Sequence, residues 1–133
     1  MIVLDTHAAV WFTTADPALG PVSQSLARPA LDNDQLAVSA VSFWEIALLI
    51  AKGRLRSLGA ATVVHKRIID AGIIEIPLSG EIAILAVDLD DLHGDPADRF
   101  IAATAIANEA TLMTADKRLL NWRHKMNRQD ATK

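Results

Sequence analysis

Four carboxylates of this 133-residue chain stand at positions that suit chemistry: Asp5, Glu45, Asp98 and Asp116. Asp5 and Asp116 follow short apolar runs, and Glu45 and Asp98 fall in the first turns of predicted helices. Converging carboxylates repel one another, so a cation must lie among them at neutral pH. Mg²⁺ and Mn²⁺ prefer such oxygen ligands. If the fold gathers these acids, the chemistry they suit is phosphodiester hydrolysis by activated water.

The strands predicted from the sequence would gather them. Short β-branched or Leu-rich runs alternate with Ala-rich helical stretches, which is typical of an α/β protein with a mostly parallel sheet. Strands are predicted at residues 2–4, 36–38, 73–76 and 111–114, with a further edge strand within 124–131. The carboxyl ends of parallel strands share one edge, where α/β proteins bind ligands. We therefore expect the four acids to be neighbours in space.

The helices between these strands have recognisable starts and ends. They are predicted at residues 6–14, 22–31, 43–51, 60–71, 80–87, 96–109 and 116–120. Asp95-Pro96 has an N-cap residue followed by a proline at the first helical position, so we interpret Asp95 as a helix cap. The sequence thus predicts a single domain over residues 1–133, with four to five strands flanked by helices.

Each acid also has a structural interpretation. An Asp after a strand is a favoured N-cap, and the helix dipole favours an acid in a first turn, so Asp5, Asp98 or Asp116 alone would prove little. Glu45 is harder to explain in this way. Its neighbours on the same helical face are apolar, namely Val41, Leu48 and Leu49. A carboxylate in such surroundings is partly desolvated and needs a partner.

Composition narrows the classes of function. The chain has no cysteine, which excludes disulfide frameworks, Cys-type zinc sites and a cysteine nucleophile. Its net charge of −3 argues against a domain that binds nucleic acid by bulk electrostatics alone. The C-terminal end at 117–133 is nevertheless basic, with six Lys or Arg residues and one Asp. An acidic body with a basic end suits a cation site beside a phosphate site.

The longest unbroken apolar runs, 46–51 and 82–87, have six residues, far fewer than the ~20 of a membrane helix. The N-terminus lacks the basic leader of a signal peptide. We expect a cytoplasmic protein without a membrane partner.

Four segments, in this order, resemble the PIN domain, and in particular the VapC-type toxins of bacterial toxin–antitoxin pairs. They are Val3-Leu4-Asp5-Thr6-His7, Ser42-Phe43-Trp44-Glu45-Ile46, His93-Gly94-Asp95-Pro96-Ala97-Asp98-Arg99 and Leu112-Met113-Thr114-Ala115-Asp116-Lys117-Arg118-Leu119. One departure is Ala97, where the family usually has a bulky aromatic residue.

The resemblance implies a Mg²⁺- or Mn²⁺-dependent endoribonuclease. Its catalytic and metal-binding residues would be Asp5, Glu45, Asp98 and Asp116, with Glu45 acting directly or through water. Thr114 would supply a hydroxyl at the metal site, and Thr6 a further donor behind the ligands. The family also implies a homodimer and a small VapB-like antitoxin that blocks the cleft. Hydrolysis by water does not need the 2′-hydroxyl of RNA, so a 5′-phosphate product is expected.

Basic residues directly follow two of these ligands. Arg99, Lys117 and Arg118 would place cations where an RNA backbone enters, unless they form only a solvated helix face. For His7 we favour a capping or surface role over metal binding, and for His93, in a loop beside acids, we favour a position without a role at the site. Trp11, Phe12, Trp44 and Trp122 are interpreted as core or interface anchors.

Three alternatives to a nuclease remain open. A phosphoacceptor receiver domain would need paired acids after the first strand, and a haloacid-dehalogenase-type phosphatase would need a second Asp where His7 stands. A catalytically silent binding module with an acidic metal pocket is the third reading, and the complete acidic quartet counts against it. Only the nuclease would cleave RNA in a metal-dependent way.

Overall fold

The computed structural model describes the backbone of residues 1–133 and all side chains except that of Arg56. Its strands are β1 (Ile2–Leu4), β2 (Leu36–Ser39), β3 (Ile74–Ile76), β4 (Thr111–Thr114) and β5 (Arg128–Asp130). Its helices are α1 (Thr6–Thr13), α2 (Pro21–Asp32), α3 (Ala40–Ala51), α4 (Ala61–Asp70), α5 (Gly80–Val87), α6 (Pro96–Ala107) and α7 (Lys117–Leu120). A single 3₁₀ turn, Arg56–Leu58, lies between α3 and α4.

The strands form one sheet in the order β3-β2-β1-β4-β5, and every pairing between them is parallel. The predicted α/β class is therefore confirmed. In the central strand, Leu4 lies beside Val38 of β2 and Met113 of β4. These three strands thus end at the same level, and the residues that follow them emerge at one edge.

Helices cover both faces of the sheet. Val3 and Leu112 point toward α5 and α6 on one face, while Leu4 and Met113 point toward α1, α2 and α4 on the other. Successive side chains of a strand alternate between faces, and here both faces are buried. The three central strands, β1, β2 and β4, consequently read as largely apolar runs rather than as alternating ones.

Helix N-caps concentrate at the carboxyl edge of the sheet. Asp5 caps α1 by accepting from the Ala8 amide, Ser39 caps α3, and Asp116 caps α7. Asp95 caps α6 as predicted, accepting from the Asp98 amide at 3.3 Å. Three of these helix starts follow directly from strands, so the chain turns from strand to helix at the same edge.

The structure moves several predicted boundaries. Helix α3 begins at Ala40, because the Ser39 hydroxyl accepts from the Val41 amide and starts the helix at the end of β2. Helix α6 ends at Ala107, because the chain turns through Glu109, whose φ is 51°. Trp122 is buried, but Trp44 is 55% exposed and so is not a core residue. None of the helices in the described part of the chain has the length and apolar character that crossing a bilayer requires.

Candidate metal centre

A cleft of about 510 Å³ opens at the carboxyl edge of the sheet. Its lining includes all four predicted acids, Asp5, Glu45, Asp98 and Asp116, which lie on four different segments of the chain. Asp95, Arg54 and Arg118 also line it. These residues are distant in sequence, and the parallel strand order brings them to the same edge of the sheet.

Asp5 lies deepest of the four acids and is held from two sides. The Thr114 hydroxyl donates to Asp5 Oδ2 at 2.5 Å, and the Ala8 amide donates to Oδ1 at 2.9 Å. The same Thr114 oxygen accepts from the Asp116 amide at 3.0 Å. One hydroxyl at the end of β4 therefore connects Asp5 and Asp116, the first and last of the four predicted acids.

Asp98, in the first turn of α6, has a histidine and an arginine as neighbours. His93 Nε2 lies 2.6 Å from Asp98 Oδ2, and Arg118 Nη2 lies 3.5 Å from the same oxygen. Arg118 also donates to Asp116, at 3.1 Å from Nη2 to Oδ2 and at 3.3 Å from Nε to Oδ1. Part of the positive charge that the acids need is thus supplied by this arginine.

The pKa values of the acids diverge. Burial raises the pKa of Asp5, although the bonds from Thr114 and Ala8 oppose the rise. Burial also raises the pKa of Asp98 to about 6, against the opposing hydrogen bond to His93. For Asp116, burial acts in the same direction, but the hydrogen bonds and charge of Arg118 outweigh it and leave the pKa lowered. A cation bound in the cleft would therefore favour the ionised forms of Asp5 and Asp98, the two acids whose pKa is raised.

The donor set fits a hard divalent cation. Carboxylate oxygens converge on one open cleft, and Asp5 is 9% exposed, so a charged Asp5 has little water around it. Ligand atoms of His93, Asp98 and Asp116 all lie within 4.8 Å of one another. Mg²⁺ or Mn²⁺ accepts carboxylate ligands while keeping water molecules in an open site.

Three of the supporting residues predicted from the sequence lie elsewhere or act differently. Thr6 lines the cleft, but its hydroxyl donates to Ser42 at 3.1 Å and so connects α1 to α3 rather than supporting a carboxylate. Arg99 was expected to contact RNA; instead its guanidinium donates to five backbone carbonyls and is not free for phosphate. Lys117 is exposed outside the cleft lining.

Two residues at the site were not singled out from the sequence for what they do. Arg54 lines the cleft from the segment after α3, where no local pattern marks it. His93 is predicted as a loop residue without a role at the site, yet its side chain is 16% exposed and contacts Asp98. Its only sequence signal is its place five residues before Asp98.

Comparison with known proteins gives consistent relatives. The profile of the PIN domain family matches residues 2–125. Ribonuclease VapC22 of Mycobacterium tuberculosis (strain ATCC 25618 / H37Rv) is 32% identical over 124 residues, 92% of each chain. The fold is similar to that in the crystal structure of VapBC2 from Rickettsia felis bound to a DNA fragment from their promoter (TM-score 0.70, 19% identity, 98% of this chain and 100% of that one). It is also similar to that in a toxin–antitoxin complex from Klebsiella pneumoniae (TM-score 0.57, 19% identity, 88% of both chains).

Proposed function

The chain belongs to the PIN domain family, and we propose that it is a metal-dependent endoribonuclease that acts as the toxin of a toxin–antitoxin pair. The observation that carries this proposal is the meeting of Asp5, Glu45, Asp98 and Asp116 in one cleft. The similarity of this chain to Ribonuclease VapC22 supports RNA as the substrate. With RNA as substrate, the cytoplasm is the place of action we propose.

In this proposal Asp5, Asp98 and Asp116 hold Mg²⁺ or Mn²⁺, with Glu45 as a direct or water-mediated ligand. When bound, the cation activates a water molecule for attack on a phosphodiester and offsets charge on the phosphate. Thr114 keeps Asp5 in place and favours its ionised form by donating to Oδ2. The lowered pKa of Asp116 keeps this carboxylate available as a ligand.

Two arginines suit the approach of the RNA backbone. Arg54 and Arg118 both line the cleft and are exposed. Where Asp98 and Asp116 held a cation, the Arg118 guanidinium that now contacts them would be free to bind a substrate phosphate. Lys117, exposed one residue away, adds positive charge to the same side. In this proposal water attacks phosphorus and the bond to the 3′-oxygen breaks, so the products carry a 5′-phosphate and a 3′-hydroxyl.

The direct test is RNA cleavage by the purified chain with Mg²⁺ or Mn²⁺, and with EDTA. We expect cleavage only with the cation, and products without a 2′,3′-cyclic phosphate. Asp116→Asn should reduce cleavage to background, since the amide lacks the ligand charge, while circular dichroism shows an unchanged fold. A variant that cleaves at the native rate would overturn the assignment.

Asp32→Asn is a matched control for the same chemical change. Asp32 is exposed at the last position of α2 and lies outside the cleft lining. This variant should cleave like the native chain. Metal binding without any RNA cleavage would instead favour a catalytically silent binding module.

We further propose a small VapB-like antitoxin as partner and a homodimer as the assembly. The support is the likeness in fold to VapBC2 from Rickettsia felis and to a toxin–antitoxin complex. Co-expression with the product of a short neighbouring reading frame should yield a stable complex without RNA cleavage. Light scattering of the purified chain should give twice the 14.3 kDa of one chain.

A further inference from the structure

We propose that His93 is a positioning residue, which holds Asp98 oriented for metal binding and is itself fixed by Arg99. The inference rests on the proposed function, since it concerns the metal site of the same cleft. His93 Nε2 lies 2.6 Å from Asp98 Oδ2, and the two side chains are only 16% and 14% exposed. A hydrogen bond of this length between side chains with so little solvent exposure strongly restricts the rotation of the carboxylate.

The buried state of the imidazole indicates which atom carries the proton. Nδ1 is buried and has no hydrogen-bond partner among the described residues. A protonated Nδ1 would leave a buried donor unsatisfied, which costs more than leaving a weak acceptor unpaired. The tautomer with hydrogen on Nε2 is therefore favoured, and it donates to Asp98 Oδ2. This leaves Oδ1 of the same carboxylate as a ligand atom for the cation.

The loop that carries His93, residues 88–95 between α5 and α6, is held by the residue next to Asp98. The Arg99 guanidinium binds the carbonyls of Leu92 at 2.8 Å and His93 at 3.3 Å. It also binds the carbonyls of Ala86, Val87 and Leu89 at the end of α5 and just beyond it. Asp98, Arg99, the loop and His93 thus form a closed ring of contacts.

The position of His93 favours this role over direct ligation. His93 contacts Asp98 but is not among the described residues that line the cleft. One of its ring nitrogens is within 4.8 Å of ligand atoms of Asp98 and Asp116, so direct ligation is the natural competitor. The two roles differ in whether nitrogen coordinates the bound cation.

Mn²⁺ binding to the full chain, followed by calorimetry and electron paramagnetic resonance, tests the proposal without relying on activity. We expect His93→Ala to weaken Mn²⁺ binding by roughly 10–100-fold, the usual effect of losing a residue that orients a ligand. His93→Gln keeps an N–H donor and should restore most of the affinity. In an Asp98→Asn background, His93→Ala should change the affinity by less than about twofold.

Several outcomes overturn the inference. One is a native Mn²⁺ affinity in His93→Ala, and another is an equal loss of affinity in the Gln and Ala variants. A third is that His93→Ala causes its full loss of affinity even in the Asp98→Asn background. The fourth is ¹⁴N coupling to Mn²⁺ in the native chain, which would show direct ligation. If His93→Ala does not fold, His93→Leu fills the same space without a donor and takes its place. A native chain whose Mn²⁺ binding is absent, or is indifferent to Asp98→Asn, instead overturns the proposed metal site, and this inference with it.

Discussion

Thr114 has the most consequential single hydroxyl of the site. It donates to the buried Asp5 and accepts from the backbone amide of Asp116. A buried carboxylate that loses its donor is costly, and here the loss would reach two of the acids proposed as metal ligands. The acid pair is thus arranged by a residue that need not touch the cation.

Thr114→Val tests this arrangement, because valine has nearly the shape of threonine but no hydroxyl. We expect the free energy of unfolding to fall by about 1–3 kcal/mol, the typical cost of leaving buried polar groups unsatisfied. RNA cleavage should fall as well, because Asp5 loses the bond that favours its ionised form. Thr114→Ser keeps the hydroxyl and should retain most of the activity. Urea unfolding and an RNA cleavage assay measure the two effects; equal behaviour of Val and Ser would contradict the interpretation.

Among the elements, the segment from α5 to α6 depends on one side chain. Arg99 binds five carbonyls along residues 86–93, most of which lie beyond the end of α5 and have no place in a helix. Basic side chains at such positions satisfy carbonyls that a helix end leaves open. A residue expected to contact RNA therefore serves the fold beside the site.

Arg99→Met keeps much of the aliphatic stem but removes all five donors. We expect a loss of about 1–3 kcal/mol in the free energy of unfolding, and weaker Mn²⁺ binding because the His93 loop is released. Arg67→Met is the matched control, since Arg67 is exposed on α4 and lies outside the cleft lining. Thermal unfolding and calorimetry measure both quantities. Native stability in Arg99→Met would show that the five contacts contribute little.

The whole molecule has an acidic cleft beside a basic C-terminal end. Its net charge of −3 counted against nucleic acid, but five of its 16 acids line one cleft suited to a cation. A bound divalent ion would offset two of those charges. The net charge of the whole chain is therefore a poor guide to RNA binding here, because the acids and the basic C-terminal end act at different places.

The shifted pKa values of the acids in the cleft make the free energy of unfolding depend on pH. The pKa of Asp98 is raised from 3.8 to about 6. Between these two pH values, without metal, the native state therefore holds a proton on Asp98 that the unfolded chain has lost. The contribution of Asp98 to stability is thus present at low pH and is lost as the pH rises through about 6. Asp5, whose pKa is also raised, acts in the same sense, and Asp116, whose pKa is lowered, acts in the opposite one.

Metal binding reverses this trend, because the cation competes with the proton on Asp98. We expect the rise in melting temperature caused by Mn²⁺ to be larger at about pH 7.5 than at about pH 5. Asp98→Asn should show a smaller rise with much weaker pH dependence. Differential scanning calorimetry with and without Mn²⁺ measures both. An equal rise at the two pH values would argue that Asp98 does not bind the cation.

The sequence by itself determined the layout of the protein. Apolar runs of three or four residues between helical stretches are enough to predict a parallel sheet, and parallel strands end at a shared edge. Asp5 and Asp116 follow two such strands, and the Asp95-Pro96 start places Asp98 in a first helical turn. These are local patterns, so they could be read from neighbouring residues, and they predicted that four distant acids would meet.

Only the tertiary structure decided how those acids are held. The contact of Thr114 with Asp5 joins residues 109 positions apart. Arg54 and Arg118 reach the cleft, and His93 reaches Asp98, in ways that no local pattern specifies. Arg99 and Arg118 look alike in the sequence, each following a proposed ligand, yet one binds backbone carbonyls and the other binds carboxylates. The direction of a side chain depends on which element packs against it. That packing is set by the whole fold.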